Sequence, residues 1–447
     1  MGQKHSMLNL PPSLSEILQS RPWLRYDSHA ALMFDGVRLH DIVVQYDTPC
    51  WVYSASTLRA RARALKAAFS DRGQPISMHY AVKANDHHAT LAILQRKGFG
   101  ADVVSGGELR KAIAAGIAPG DIVFSGVGKT DAELTLAIEM EIGVINVESR
   151  EELGRLTSLA SRLGKRPKVA LRVNPHIDAG THDKISTGRE GDKFGIDWRE
   201  ALALSRMAAK DPHLDFIGLA AHIGSQITAI APFEAACQRL AGMISDLRTD
   251  GIAVKHVDCG GGLGIRYHQE VPPDITDYAR VIASHLGTLN VAISIEPGRW
   301  LSGPTGILLT RVIDVKAQPA PRSDFVFIDA AMNDLARPAL YAAWHDVLPL
   351  HAGATQKPEK AQTLAGPVCE TGDILATDRI LPPLSRGDLL AILDTGAYGA
   401  VMSSTYNARP LAAQIMIEDG KMAEIRQRQT LETLWEAERL PDWFKAE

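Results

Sequence analysis

The 447-residue chain has only four cysteines, Cys50, Cys237, Cys259 and Cys369, widely spaced and without a C-x-x-C pair. That scarcity argues against a disulfide framework and a cysteine zinc site, and it sets the expectation of a reduced, cytoplasmic protein that holds no metal. Long hydrophobic runs are missing too. No stretch approaches the roughly 18 apolar residues of a membrane span, and the first residues lack the apolar core of a secretory signal, so no membrane partner is expected. Nor does one charge dominate: 48 Lys and Arg against 52 Asp and Glu leave a net charge of −4 at pH 7. This gives no electrostatic reason to expect nucleic acid or an anionic membrane and points to small molecules as partners.

Two short motifs are decoys. Met1-Gly2-Gln3-Lys4-His5-Ser6 fits a loose myristoylation pattern, which a bacterial-type sequence or a cloning remnant explains better. Gly126-Val127-Gly128-Lys129-Thr130 ends like a phosphate-binding P-loop, but the first glycine of that motif is replaced by Val123. The nucleotide reading therefore fails.

What is present is a long α/β pattern. At this length, with 45% hydrophobic and 22% charged residues, two domains are expected. Short apolar runs at 78–82, 101–104, 122–124, 144–147, 169–173, 216–222, 255–258 and 291–296 alternate with amphipathic stretches at 107–115, 132–140, 151–163, 200–209 and 233–247. That alternation predicts a (β/α)8 barrel with parallel strands over 46–306. Beyond it, strands at 307–315, 325–329, 389–393 and 414–418 without long helices between them predict a C-terminal β domain over 307–447, with a turn at 317–322. Residues 1–45 do not follow the barrel period.

Such barrels carry their chemistry at the carboxyl ends of the strands, and the polar candidates fall there. Lys83 follows the first run, Arg172 ends the fifth, His222 closes the sixth, Gly260, Gly261 and Gly262 follow the seventh, and Glu296 closes the eighth. A lysine on a fixed stem is suited to covalent attack on an aldehyde once burial favours its neutral amine. A glycine cluster lets backbone N–H groups approach a phosphate, although a tight loop needs glycine as well. A buried carboxylate at Glu296 needs a cationic partner, which a rim arginine would also supply. By itself, His222 also reads as a satisfied core histidine, and Arg172 equally as a structural ion-pair residue.

The segments His79-Tyr80-Ala81-Val82-Lys83-Ala84-Asn85, His222-Ile223-Gly224-Ser225, Gly260-Gly261-Gly262-Leu263-Gly264, Glu296-Pro297-Gly298-Arg299, Gly366-Pro367-Val368-Cys369-Glu370 and Gly396-Ala397-Tyr398 follow in this order. Together they resemble the fold-type III pyridoxal-phosphate decarboxylases, most closely the diaminopimelate decarboxylases, over roughly residues 45 to 430. The resemblance implies pyridoxal 5′-phosphate joined to Lys83, a phosphate loop at Gly260–Gly262 with the Ser225 hydroxyl, and Glu296 facing the ring nitrogen. It further implies His222 stacked on the ring, and it extends the cofactor set to Arg172, Gly298, Arg299 and Tyr398.

For the substrate, the resemblance implies Arg299, Arg337, Tyr341, Glu370 and Tyr398. The segment Ala336-Arg337-Pro338-Ala339-Leu340-Tyr341 is similar to that of diaminopimelate enzymes, whose substrate keeps a distal carboxylate. Glu370 then takes the distal ammonium, and Cys369 is the proton donor to Cα. Asn174-Pro175 and residues 182–195 are expected to form a mobile loop over the site. The resemblance also implies that residues 1–45 pack with the β domain and that the assembly is a homodimer whose sites are shared between chains. Decarboxylases of ornithine, lysine, arginine or carboxynorspermidine, a racemase on the same barrel and a non-catalytic pyridoxal-phosphate barrel are the alternatives.

Overall fold

A computed structural model describes residues 12–71, 75–352 and 359–446, so the Met1–Ser6 pattern lies outside the described residues. The chain divides into two compact units: 1–57 with 267–269 and 304–447, and 58–266 with 270–303.

The second unit is a closed barrel. Its strands are β1 (Ile76–Ala81), β2 (Gly100–Val103), β3 (Ile122–Phe124), β4 (Val144–Val147), β5 (Lys168–Asn174), β6 (Asp215–Ala221), β7 (His256–Asp258) and β8 (Ala292–Ile295). Each pairs in parallel with the next, and β8 returns to β1 through Ile293↔Ile76, Ser294↔Ser77 and Ile295↔Met78. All eight predicted runs are strands of this barrel, to within a few residues at the ends.

Parallel neighbours require crossovers, and local chemistry starts the crossover helices where they are needed. Ser105, Thr130, Ser149, Asp197 and Asp274 each accept a first-turn amide with their side chain, a cap of about 1 kcal/mol. The imidazole of His87, whose role the sequence leaves open, does the same for the amide of Ala89 at 3.1 Å. Asp131, likewise unexplained, binds Arg155 at 2.7 Å. The helix Arg150–Leu163 buries Glu152, Leu153, Leu156, Leu159 and Ala160, a single stripe, and ends at Gly164 with a φ of 60°. Lys129 of the P-loop decoy is buried, donating to the carbonyls of Gly126 and Asn146 at 2.8 and 2.7 Å and to Glu152 at 2.7 Å.

The first unit is built on the eleven-residue strand Gly306–Lys316, which pairs with Asp324–Ile328, Leu389–Ile392 and Cys50–Ser54. The sheet continues through Lys360–Ala365 and Ile374–Leu381 on one side and Ala413–Glu418 and Lys421–Arg426 on the other. Cys50–Ser54 corrects the expected boundary at 45/46: residues 46–57 belong to this unit, and so do 304–306. All five residues of that strand are buried, and a strand buried on both faces reads like a barrel strand in sequence. Residues 24–38 form a three-stranded antiparallel sheet of their own. Arg21 is buried against Asp394 and Asp346, at 2.5 and 2.8 Å.

Candidate active site

Lys83 lies in the tight turn Val82–Ala84 directly after β1, with its neighbours Val82 and Ala84 buried. The amide of Ala81 donates to Pro297 O at 3.1 Å, which ties the end of β1 to the segment after β8. Ala81 pairs in register with Asp102 on β2, so the Lys83 ammonium and the Asp102 carboxylate meet as an ion pair. The burial expected of this lysine is only partial. Its side chain is 33% exposed, while that of Asp102 is 0% exposed.

Asp102 belongs to a buried acidic group with Asp258 and Glu296. Oδ1 of Asp102 and Oδ2 of Asp258 have no hydrogen-bond partner among the described residues. Burial first, then the charges of Asp102 and Asp258, push the Glu296 carboxyl well above the usual carboxylate range, outweighing Lys83 and Arg172. A hydrogen-bonded chain holds it in place. Asn146 Nδ2 donates to Ser125 Oγ at 3.1 Å, and Ser125 Oγ donates to Glu296 Oε1 at 3.3 Å.

His222 follows β6 and accepts the Gly261 amide on Nδ1 at 3.0 Å. An acceptor nitrogen fixes the neutral ring with its proton on Nε2. Burial, then Arg172 and Lys83, push its pKa well below the ordinary histidine value.

The glycine turn differs from expectation in one respect. The Gly260 amide donates to Asp258 Oδ1 at 2.7 Å and that of Gly261 to His222, so two N–H groups expected to face a phosphate are engaged by side chains. The amide of Gly262 donates to nothing among the described residues. A Cβ at Gly261 would stand 2.1 Å from Glu296 O, and one at Gly262 would stand 2.5 Å from Gly224 O. Backbone crowding therefore requires glycine here.

Arg299 opens a short helix after Gly298 and donates to Ser225 Oγ at 3.0 Å. Arg172 binds Glu148 at 2.6 Å, and the second oxygen of Glu148 accepts the Gly195 amide at 3.0 Å. Burial works against the Glu148 charge, but Arg172, Lys129 and that amide hold its carboxyl below the ordinary value. Arg172 thus sits in a buried ion pair, and its guanidinium lies 5.1 Å over the Phe194 ring. The segment expected to be a mobile loop is fastened to the His222 turn: Thr187 Oγ1 donates to His222 O at 2.8 Å and Ser225 N to Ile185 O at 3.2 Å.

Cys369, Glu370, Tyr398, Arg337 and Tyr341 lie in the first unit. Cys369 and Glu370 are exposed. The Cys369 amide donates to Asn407 Oδ1 at 2.8 Å, and a hydrogen bond to Glu370 raises the Tyr406 pKa. Tyr398 has a φ of 55°, a conformation that bulky residues adopt rarely. Arg337 and Tyr341 bound one helical turn, Arg337–Tyr341. Arg337 is buried, with Nη1 2.7 Å from His345 Nε2 and its guanidinium 4.4 Å over the Tyr267 ring.

Sequence reading missed Asp102, Ser125, Asn146, Glu148, Tyr406 and His345. Asp102 did carry a signal, a lone acid inside the apolar run Ala101-Asp102-Val103.

The family model described as "Pyridoxal-dependent decarboxylase, pyridoxal binding domain" matches residues 55–303. The diaminopimelate decarboxylase of Zymomonas mobilis is 45% identical over 420 residues, covering 93% of this chain and 98% of that one. The chain belongs to the diaminopimelate decarboxylase family. Two solved members are similar throughout. The Helicobacter pylori enzyme complexed with L-lysine has a TM-score of 0.85 and 38% identity, covering 90% of this chain and 99% of that one. The M. jannaschii enzyme, also with L-lysine, has a TM-score of 0.89 and 33% identity, covering 95% and 99%.

Pyridoxal phosphate, the family's cofactor, fits the residues present. A protonated ring nitrogen brought to Glu296 supplies the cation that the buried acidic group calls for. The Gly262 amide is available to a phosphate, and Lys83 is within reach of solvent.

Proposed function

We propose that this enzyme decarboxylates meso-2,6-diaminopimelate to L-lysine and carbon dioxide. The observation that carries this reading is Lys83 paired with a buried acidic group at the strand ends of a barrel whose chain is 45% identical, over 93% of its length, to a diaminopimelate decarboxylase. When bound, pyridoxal phosphate supplies the electron sink for the pair left on Cα as carbon dioxide departs.

The chain's own residues do the rest. Lys83 is the covalent anchor, and its release from Asp102 frees the amine. Glu296, held by Ser125 and Asn146, accepts the ring nitrogen's proton in a hydrogen bond and keeps that nitrogen charged. His222, neutral and fixed by the Gly261 amide, packs on the ring face. The Gly262 amide and the Ser225 hydroxyl, steadied by Arg299, take the phosphate, with Gly260 and Gly261 shaping the turn. Arg172 keeps the wall beside His222 rigid through Glu148.

Arg337 and Tyr341 receive the distal carboxylate, and Glu370 the distal ammonium. Cys369 holds the proton delivered to Cα, and Tyr398 closes on the cofactor from the β unit. The assembly is a two-fold homodimer, in which the barrel of one chain meets the β unit of its partner. The four cysteines are free, which suits a reducing cytoplasm. Incubating the protein with pyridoxal phosphate and a panel of diamino acids tests the reading. Carbon dioxide release from meso-diaminopimelate and not from lysine or ornithine is the expected result, and release from lysine or ornithine alone would overturn it.

A further inference from the structure

Arg21 and Arg172, both buried, are held by carboxylates: Asp394 and Asp346 in one case, Glu148 in the other. Arg337 is buried as well, and an imidazole meets it. Its Nη1 lies 2.7 Å from His345 Nε2, and His345 Nδ1 lies 2.7 Å from Leu393 O. A guanidinium only donates and a carbonyl only accepts. The imidazole must therefore be neutral, with its proton on Nδ1 and its lone pair on Nε2.

The acceptor offered to Arg337 is thus anchored to backbone. Leu393 is itself pinned by its amide, which donates to Asp346 O at 2.9 Å. The chain reverses at Ala342, with a φ of 49°, and brings His345 back against the start of the helix that carries Arg337. His345 is 0% exposed and sits edge-on to Tyr267, centroids 5.2 Å apart, while the same ring carries the Arg337 guanidinium.

We infer that His345 is a positioning residue for substrate selection: its imidazole, itself anchored to Leu393 O, aims the Arg337 guanidinium at the distal carboxylate. The inference rests on Arg337 being the residue that takes that carboxylate.

Four variants of the dimeric holoenzyme test it, with kcat and KM for meso-diaminopimelate and thermal melting as readouts. His345→Asn can keep the hydrogen bond to Leu393 O but is too short to reach Arg337; it should raise KM about tenfold or more, the size of a lost charge-assisted hydrogen bond, with kcat within about twofold. His345→Gln places an acceptor where Nε2 stood and should stay within about threefold of the parent in KM. Arg337→Ala should raise KM further, and adding His345→Asn to it should change nothing more, because His345 acts through Arg337.

The proposal is overturned if Arg337→Ala is impaired while His345→Asn keeps the parent KM, or if the two effects add in full. An unchanged KM in Arg337→Ala overturns the carboxylate role of Arg337 itself, and the inference with it. Should His345→Asn not fold, His345→Gln decides: a KM raised as far as in Arg337→Ala overturns the proposal, and a KM near the parent supports it.

Discussion

Lys83 and Asp102 meet at the ends of neighbouring parallel strands, an ammonium one-third exposed against a carboxylate with no exposure at all. An amine so placed is fixed by its partner and still open to a ligand. Lys83→Ala is expected to abolish the visible absorbance of the bound cofactor and to lower turnover roughly 10³-fold or more, as lost nucleophiles do. Borohydride reduction followed by peptide mapping should find the cofactor on Lys83, and attachment to another lysine would refute the assignment.

The Asn146–Ser125–Glu296 chain should matter for cofactor retention. Glu296→Gln removes the carboxylate that faces the ring nitrogen, and Ser125→Ala removes one hydrogen bond to it, worth about 1 kcal/mol. Cofactor affinity measured by absorbance titration is expected to fall about fivefold in Ser125→Ala and much further in Glu296→Gln. The same Glu296→Gln change should make the cofactor-free protein more stable at neutral pH, since it removes a carboxyl whose charge burial disfavours. A melting temperature lowered in that variant would contradict this account of the buried acidic group.

Glu108 gives a pH dependence of definite sign. Its carboxyl is pushed from 4.5 to about 7, by burial first and by Asp102 and Asp86 after it, against the Val104 amide and Lys83. Below pH 4.5 folded and unfolded forms are both protonated and the group contributes nothing. Between about 4.5 and 7 the unfolded chain releases the proton that the folded one keeps, so stability falls as pH rises. Glu108→Gln should therefore gain stability over the parent at pH 8 and none at pH 4.5, read from urea melts at both values.

Selectivity should follow Arg337. Lysine and ornithine lack a distal carboxylate, which leaves the guanidinium desolvated without that anion at a cost of ~2–5 kcal/mol. Arg337→Ala is expected to weaken diaminopimelate far more than lysine, measured as kcat/KM for each. Equal losses on both substrates would exclude the role.

Shared sites make a further prediction. Lys83→Ala and Cys369→Ala, each strongly impaired alone, should regain activity when unfolded and refolded together, because a mixed dimer can collect one site with both groups intact. Mixed dimers without any gain would reject the shared site or the need for Cys369, and the activity of Cys369→Ala alone separates these outcomes.

Much of this was legible in sequence because barrel strands are short apolar runs and the chemistry collects just past them. Lys83, His222 and Glu296 each announce themselves as a polar residue ending such a run. Asp102 does not, since it lies inside its run and its partner is set by strand register. Ser125, Asn146 and Glu148 act across adjacent strands, and no local spacing records that. His345 needed the chain reversal at Ala342 to be seen at all. The place of Cys50–Ser54 in the first unit is not legible in sequence, because burial on both faces hides the side from which its partners come.

The amides of Gly260 and Gly261 are bonded to Asp258 and His222, groups of the protein itself. These bonds brace the turn, and little conformational freedom remains to be lost when a phosphate arrives. Binding there is that of a preorganised receptor. The backbone of the turn should already be slow to exchange its amide hydrogens at 260 and 261 before the cofactor is added, with Gly262 the one that slows when it comes.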